Sequence, residues 1–151
     1  METQITPLNI IGIAVRTTNV NEKSSIDIPQ LWETFLSSGI QERIPNKIDG
    51  TIYCLYTDYE KDYLAPYTTV LGCAVSSLND IPEGLTSVSI DKAKYSKRFA
   101  KGNLQEGIVF NEWISIWNSD LKRAYTTDFE VYGEKSQNPE NAEVEIFVGI
   151  K

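Results

Sequence analysis

The chain has no histidine. Without an imidazole, Ser-His-Asp and Cys-His nucleophile arrangements, His-ligated zinc and the usual base poised near neutral pH are all excluded. Acid or base work falls to carboxylates, Lys, Tyr or Cys. Cysteine is scarce too: Cys54 and Cys73 are the only two, too few for a disulfide framework or a four-thiolate metal site. They are expected as reduced, half-buried thiols, although neighbouring predicted strands carry them. No apolar run approaches the roughly 18 residues that span a bilayer, and Met1-Glu2-Thr3-Gln4 lacks the basic-then-apolar pattern of a secretory signal. A cytoplasmic protein with no membrane association is the expectation. The glycines are scattered, forming neither a dinucleotide fingerprint nor a phosphate loop; no cofactor and no metal are expected.

What is present bounds the rest. The chain has 151 residues, 41% of them apolar, which suits a single domain (1–151) with a core that needs no covalent staples. Acidic residues number 21 against 14 basic ones, for a formal charge of -7. That balance disfavours direct nucleic-acid binding, which draws its affinity from Lys and Arg, and favours cationic over anionic ligands. Lys92, Lys94, Lys97, Arg98 and Lys101 form a local basic run, read as a solvated face.

Periodicity orders the chain. Leu8 to Arg16 reads as a strand. A helix follows, with Asp27 as N-cap, Pro29 near the first turn, Leu31, Trp32, Phe35 and Leu36 as its apolar stripe, and Gly39 as its stop. Ile44 to Gly50 is turn chemistry, and Thr51–Tyr56 and Pro66–Ser76 are two strands joined by a long loop. The second half repeats the order. Leu85 to Lys101 is one long strand or two joined by a bend around Lys92; Asn103 caps a helix to about Trp117; Asp128–Tyr132 and Glu143–Ile150 are strands. A constant offset lays Thr51 on Thr127, Leu55 on Val131, Tyr56 on Tyr132 and Val70 on Ile146, and a slightly larger one lays Trp32 on Trp113. The expected fold is α+β: two β-α-β-β units, about 5–77 and 84–151, related by a pseudo-twofold axis, helices outside and a ligand groove between the repeats.

Glu130 is the leading site candidate. Alternation puts Phe129 and Val131 on one face, under the helices, and Asp128, Glu130 and Tyr132 on the other. Either that face meets water and Glu130 is an ordinary solvated carboxylate, or it lines the groove beside Tyr132, Tyr53 or Tyr56. An aromatic-walled groove with one desolvated carboxylate suits a cationic apolar ligand. Trp32, Trp113 and Trp117 sit at helical spacing, as core or as pocket rim. Glu112, beside Trp113, is a second carboxylate candidate or an exposed helix position. Tyr56 to Tyr63 crowds oxygen ligands but lacks a central glycine, so it reads as a polar hairpin loop with tyrosines over the sheet edge rather than a calcium loop.

Several stretches carry a family resemblance. Ile44-Pro45-Asn46-Lys47, Tyr56-Thr57-Asp58-Tyr59-Glu60, Tyr67-Thr68-Thr69-Val70, Val75-Ser76-Ser77-Leu78, Ile81-Pro82-Glu83-Gly84-Leu85, Ala100-Lys101-Gly102, Trp113-Ile114-Ser115-Ile116-Trp117 and the run Lys122 to Tyr132 together resemble the integron-associated effector-binding proteins. These sit within the wider bacterial gyrase-inhibitor-like, AraC-type effector-binding superfamily, and the resemblance covers nearly the whole chain. It implies a duplicated β-α-β-β fold whose central groove takes up amphipathic, often cationic compounds in the manner of multidrug-binding domains. Within Asp128-Phe129-Glu130-Val131-Tyr132 it makes Glu130 the residue that contacts the cation, with no catalytic residue, and it offers Tyr53, Tyr132 and Trp113 as groove walls. Many relatives carry the domain behind a DNA-binding helix-turn-helix; here the effector domain takes up all the residues. The implied function is a standalone small-molecule binder. The alternatives are a hydrolase of reactive small molecules using the groove Glu and a neighbouring Tyr, or an interaction module acting on gyrase or a separate regulator.

Overall fold

The structure is a computed structural model that describes residues 2–151. Eight strands form one antiparallel sheet: β1 (Glu2–Gln4), β2 (Leu8–Thr17), β3 (Ile52–Thr57), β4 (Tyr67–Val75), β5 (Thr86–Ile90), β6 (Lys94–Gly102), β7 (Thr127–Tyr132) and β8 (Ala142–Gly149). Helices α1 (Ser24–Ser37) and α2 (Ile40–Arg43) fall between β2 and β3, and α3 (Ile108–Trp117) between β6 and β7. The strand order is β1-β6-β8-β7-β3-β4-β2-β5. Each half thus contributes a strand, a helix and a hairpin, and the halves meet at the β3–β7 seam in the middle of the sheet. The short strand preceding each unit crosses over, β1 pairing with β6 and β5 with β2.

The sheet must curl. β5 and β6 lie near opposite ends of it, roughly 29 Å apart if the strands lay flat, yet only Asp91–Ala93 joins them, a connection reaching at most about 14 Å. The stretch from Leu85 to Lys101 is therefore two strands with a bend at Lys92. Inside the curl lie Ile10, Leu55, Val70, Ile90, Tyr95, Phe129 and Phe147. On the outer face α1 and α2, with Ile44 just after α2, bury Leu31, Phe35, Ile40 and Ile44 against Ile11, Cys54, Leu71 and Cys73. Beside them α3 buries Trp113 and Ile116 against Ala100, Val144, Ile146 and Val148.

Several sequence expectations shift in detail. α1 begins at Ser24, so Asp27 is not its N-cap; a 3-10 turn over Val20–Glu22 leads in, and Lys23 pairs with Asp27 one turn on at 3.5 Å. Pro29 lies within the helix, with no N–H to give to the Ser25 carbonyl. Gly39 does adopt a left-handed conformation (φ 66°), but α2 follows at once. Asn103 caps a 3-10 turn over Leu104–Glu106 by accepting from the Gln105 N–H at 2.9 Å, and left-handed Gly107 starts α3 proper. Both cysteines are free and wholly buried, not half-buried. In the basic run, Lys94, Lys97, Arg98 and Lys101 pair with Glu2, Glu145, Glu112 and Glu143 at 3.1–3.6 Å.

The face assignment on β7 is reversed. Phe129 points into the curl, away from the helices, and Glu130 and Tyr132 point toward them. Both Phe129 and Glu130 are 1% exposed, so a strand at the centre of a curled sheet offers no polar face to read.

Among the described residues no helix is long and apolar enough to cross a membrane.

Candidate functional site

A cavity of about 550 Å³ opens on the outer face between α1 and α3, floored by β3, β4 and β7. That size is usual for sites that enclose small organic molecules. Tyr56 and Tyr132 each pack against both helix clusters, which puts them at the centre of the floor.

Glu130 forms the polar heart of this floor. Its Oε2 accepts hydrogen bonds from the Tyr56 hydroxyl and the Trp113 indole N–H, both at 2.7 Å, and its Oε1 accepts from the Tyr132 hydroxyl at 2.5 Å. Local geometry dictates the set. Cys54 lies opposite Glu130 across the β3–β7 seam, so Tyr56, two residues on, shares its face, as does Tyr132. Trp113 comes down from α3, whose other inward residue, Ile116, anchors it at 1% exposure. Among the described residues no Lys or Arg pairs with Glu130. Burial pushes its carboxyl above the ordinary 4.5, and the Tyr132, Tyr56 and Trp113 donors restrain that rise. Burial, reinforced by Glu130, holds the Tyr56 and Tyr132 hydroxyls well above 10, so both stay protonated donors at neutral pH.

Aromatic rings build the walls. Trp32 from α1 meets Tyr132 edge-on with ring centroids 4.8 Å apart, and Tyr56 meets Trp113 at 5.4 Å and Tyr67 at 5.9 Å. At the mouth Tyr63 stacks on Trp117 at 5.6 Å, and Phe110 abuts the same indole. The β3–β4 loop therefore sends Tyr59 and Tyr63 into the cavity instead of laying them over the sheet edge. Asn19 pins that loop: its amide donates to the Tyr63 carbonyl at 2.8 Å, and its oxygen accepts from Ser24 and from Tyr67.

Of the residues singled out in the sequence, Glu130, Tyr132, Tyr56, Trp113 and Trp117 line the cavity together. Tyr53 does not. It is three positions from Tyr56, so the strand turns it to the inner face, where it packs near Phe129 at 6.2 Å. Glu112 is likewise elsewhere: it lies about 100° around the helix from Trp113 and pairs with Arg98 at 3.2 Å. Trp32 proves to be wall as well as core. Tyr59, Tyr63, Tyr67, Phe110 and Arg123 were not anticipated; a tyrosine cluster spanning Tyr56 to Tyr67 was the available signal.

The model of a family described as integron-associated effector binding protein matches residues 3–150. The chain belongs to that family. It is 30% identical to an integron cassette protein from the mobile metagenome of Vibrio cholerae, covering all of this chain and 95% of that one with a TM-score of 0.76. YobU of Bacillus subtilis (strain 168), whose name offers it as a candidate transcriptional regulator, is 28% identical over 144 residues, 93% of this chain and 90% of that protein. A structure of SAV2435 bound to tetraphenylphosphonium shares the fold at a TM-score of 0.75 and 17% identity, covering all of this chain and 93% of that one.

Proposed function

We propose that the chain binds an amphipathic organic monocation in the cavity between α1 and α3, with Glu130 as its counter-ion. One observation carries this reading: a carboxylate 1% exposed, held by three neutral donors and ringed by aromatic faces. Desolvating an unpaired carboxylate is costly, and a bound cation offsets that cost. At about 5 Å and an effective dielectric near 20, the attraction amounts to ~3 kcal/mol. Aromatic faces add affinity for a positive centre, and burying flat apolar ligand surface contributes about 25 cal/mol per Å². Tetraphenylphosphonium, the ligand of SAV2435 on the same fold, has this chemistry: one delocalised positive charge wrapped in phenyl rings.

Tryptophan emission provides the test, since all three indoles line the cavity. Titration with tetraphenylphosphonium is expected to change the emission at a dissociation constant at least tenfold below that of neutral triphenylphosphine oxide. Equal affinities would remove the charge recognition from the proposal, and no binding of either would remove the proposal itself.

A further inference from the structure

Among the described residues only two charged side chains line the cavity, Glu130 and Arg123. By that count the cavity is neutral, a poor trap for a cation. The charge behind the wall alters the sum. Arg123 is 6% exposed, and its Nη2 donates to Asp128 Oδ2 at 2.7 Å, while its guanidinium lies 5.7 Å from the Trp113 ring centre and 4.4 Å from that of Tyr125. Asp128 is wholly buried and does not line the cavity. Besides Arg123 it accepts from the Tyr59 hydroxyl at 2.5 Å and from the Gly149 backbone N–H at 2.7 Å. These three partners hold the carboxylate behind the cavity wall. Burial works against the Arg123 charge, yet the Asp128 carboxylate beside it holds its pKa above the ordinary guanidinium value, so Arg123 stays charged with a carboxylate oxygen 2.7 Å away to offset it.

We infer that Asp128 sets the charge specificity of the cavity: by neutralising Arg123 it leaves Glu130 as the one uncompensated charge, and it selects monocations without touching them. This rests on the reading of Glu130 as the ligand's counter-ion. Asp128 and Glu130 are two residues apart on β7, about 7 Å along the strand. At such separations one buried charge changes the affinity for an ion by an order of magnitude or so. Asp128 is thus a positioning residue, and its effect should follow ligand charge rather than ligand shape.

Tetraphenylphosphonium and tetraphenylborate, matched in shape and opposite in sign, read that effect directly as a ratio of affinities. The wild-type chain is expected to prefer the phosphonium by at least a hundredfold; a preference under tenfold would show the Arg123 charge open to ligands and overturn the inference. Asp128→Asn keeps an oxygen for the Gly149 N–H and is expected to shrink the ratio at least tenfold. Arg123→Met is expected to widen it, so either variant suffices should the other fail to fold. The double variant R123M/D128N restores the charge count and is expected to return the ratio to within threefold of wild type. A phosphonium site that weakens on Glu130→Gln while its ratio ignores Asp128→Asn and Arg123→Met would overturn this inference alone. Phosphonium binding indifferent to Glu130→Gln would overturn both this inference and the reading beneath it.

Discussion

Tyr56 and Glu130, 74 residues apart, join the two halves of the molecule through one hydrogen bond of 2.7 Å across the β3–β7 seam. The carboxylate belongs to one repeat and the hydroxyl to the other, so neither half could build this site alone. Trp113 and Tyr132 complete the set from the second half, and Trp32 closes it from the first by packing on Tyr132. The chemistry of the cavity is a product of the duplicated architecture.

The first expectation concerns pH. Burial holds the Glu130 carboxyl above 4.5 in the empty protein, whereas a bound cation favours the ionised form and lowers it. Affinity for tetraphenylphosphonium should therefore fall as pH drops through a midpoint above 4.5, with affinity for triphenylphosphine oxide flat across the same range. Calorimetric titrations between pH 4 and 8 check this; a cation affinity independent of pH would contradict the placement of the charge.

Glu130 should also weigh on stability. The folded state binds its proton more readily than the unfolded chain does, so the group's unfavourable contribution is fully present above the raised folded value and is relieved as pH falls toward 4.5. Glu130→Gln, which removes the ionisation, should unfold at a temperature equal to or above that of wild type at pH 7.5. Its advantage should diminish below pH 4.5. Thermal unfolding followed by circular dichroism at both pH values measures the difference, and an advantage growing toward acid pH would have the wrong sign.

The β2–β4 pairing rests on two facing glycines, Gly12 and Gly72. A Cβ at Gly72 would overlap the Ile11 carbonyl, and one at Gly12 would overlap the Leu71 carbonyl. Because backbone atoms cannot swing aside as a flexible side chain does, Gly72→Ala should cost at least about 2 kcal/mol, in the upper part of the usual range for overpacking. Urea unfolding measures it, and a change within about 0.5 kcal/mol, as for an ordinary surface site, would refute the close approach.

Both thiols should be inert in the folded protein. Burial, with Glu130 adding to it, pushes Cys54 well above 9, and burial raises Cys73. Thiol titration is expected to find little reaction in buffer and two reactive groups in denaturant without reductant. A missing pair after unfolding would mean that the thiols had joined.

Element order and the repeat were legible from the sequence because apolar periodicity and turn residues are local signals. Which face of β7 carries the site was not, since Phe129 and Glu130 are equally buried and alternation alone does not say where the helices sit. Parity did hold information: Tyr53 and Tyr56 stand three apart on one strand, so only one of them could reach the groove. Tyr59 and Tyr63 were harder. Their direction depends on a loop that turns through Asp58 at a positive φ of 51° and is fastened by Asn19, 44 residues from Tyr63 in the chain, contacts with no sequence period.

The most direct measurement is calorimetric titration of wild type and Glu130→Gln with tetraphenylphosphonium and with triphenylphosphine oxide. Losing one partner of a buried charge pair typically costs about 2–5 kcal/mol, whereas an exposed carboxylate would contribute roughly 0–1 kcal/mol. The substitution is expected to weaken the cation at least about tenfold, or ~1.4 kcal/mol, and to leave the phosphine oxide within about twofold, inside the small effects usual for sites without a specific role. Equal losses for both ligands, or no loss for the cation, would contradict Glu130 as the counter-ion of the site.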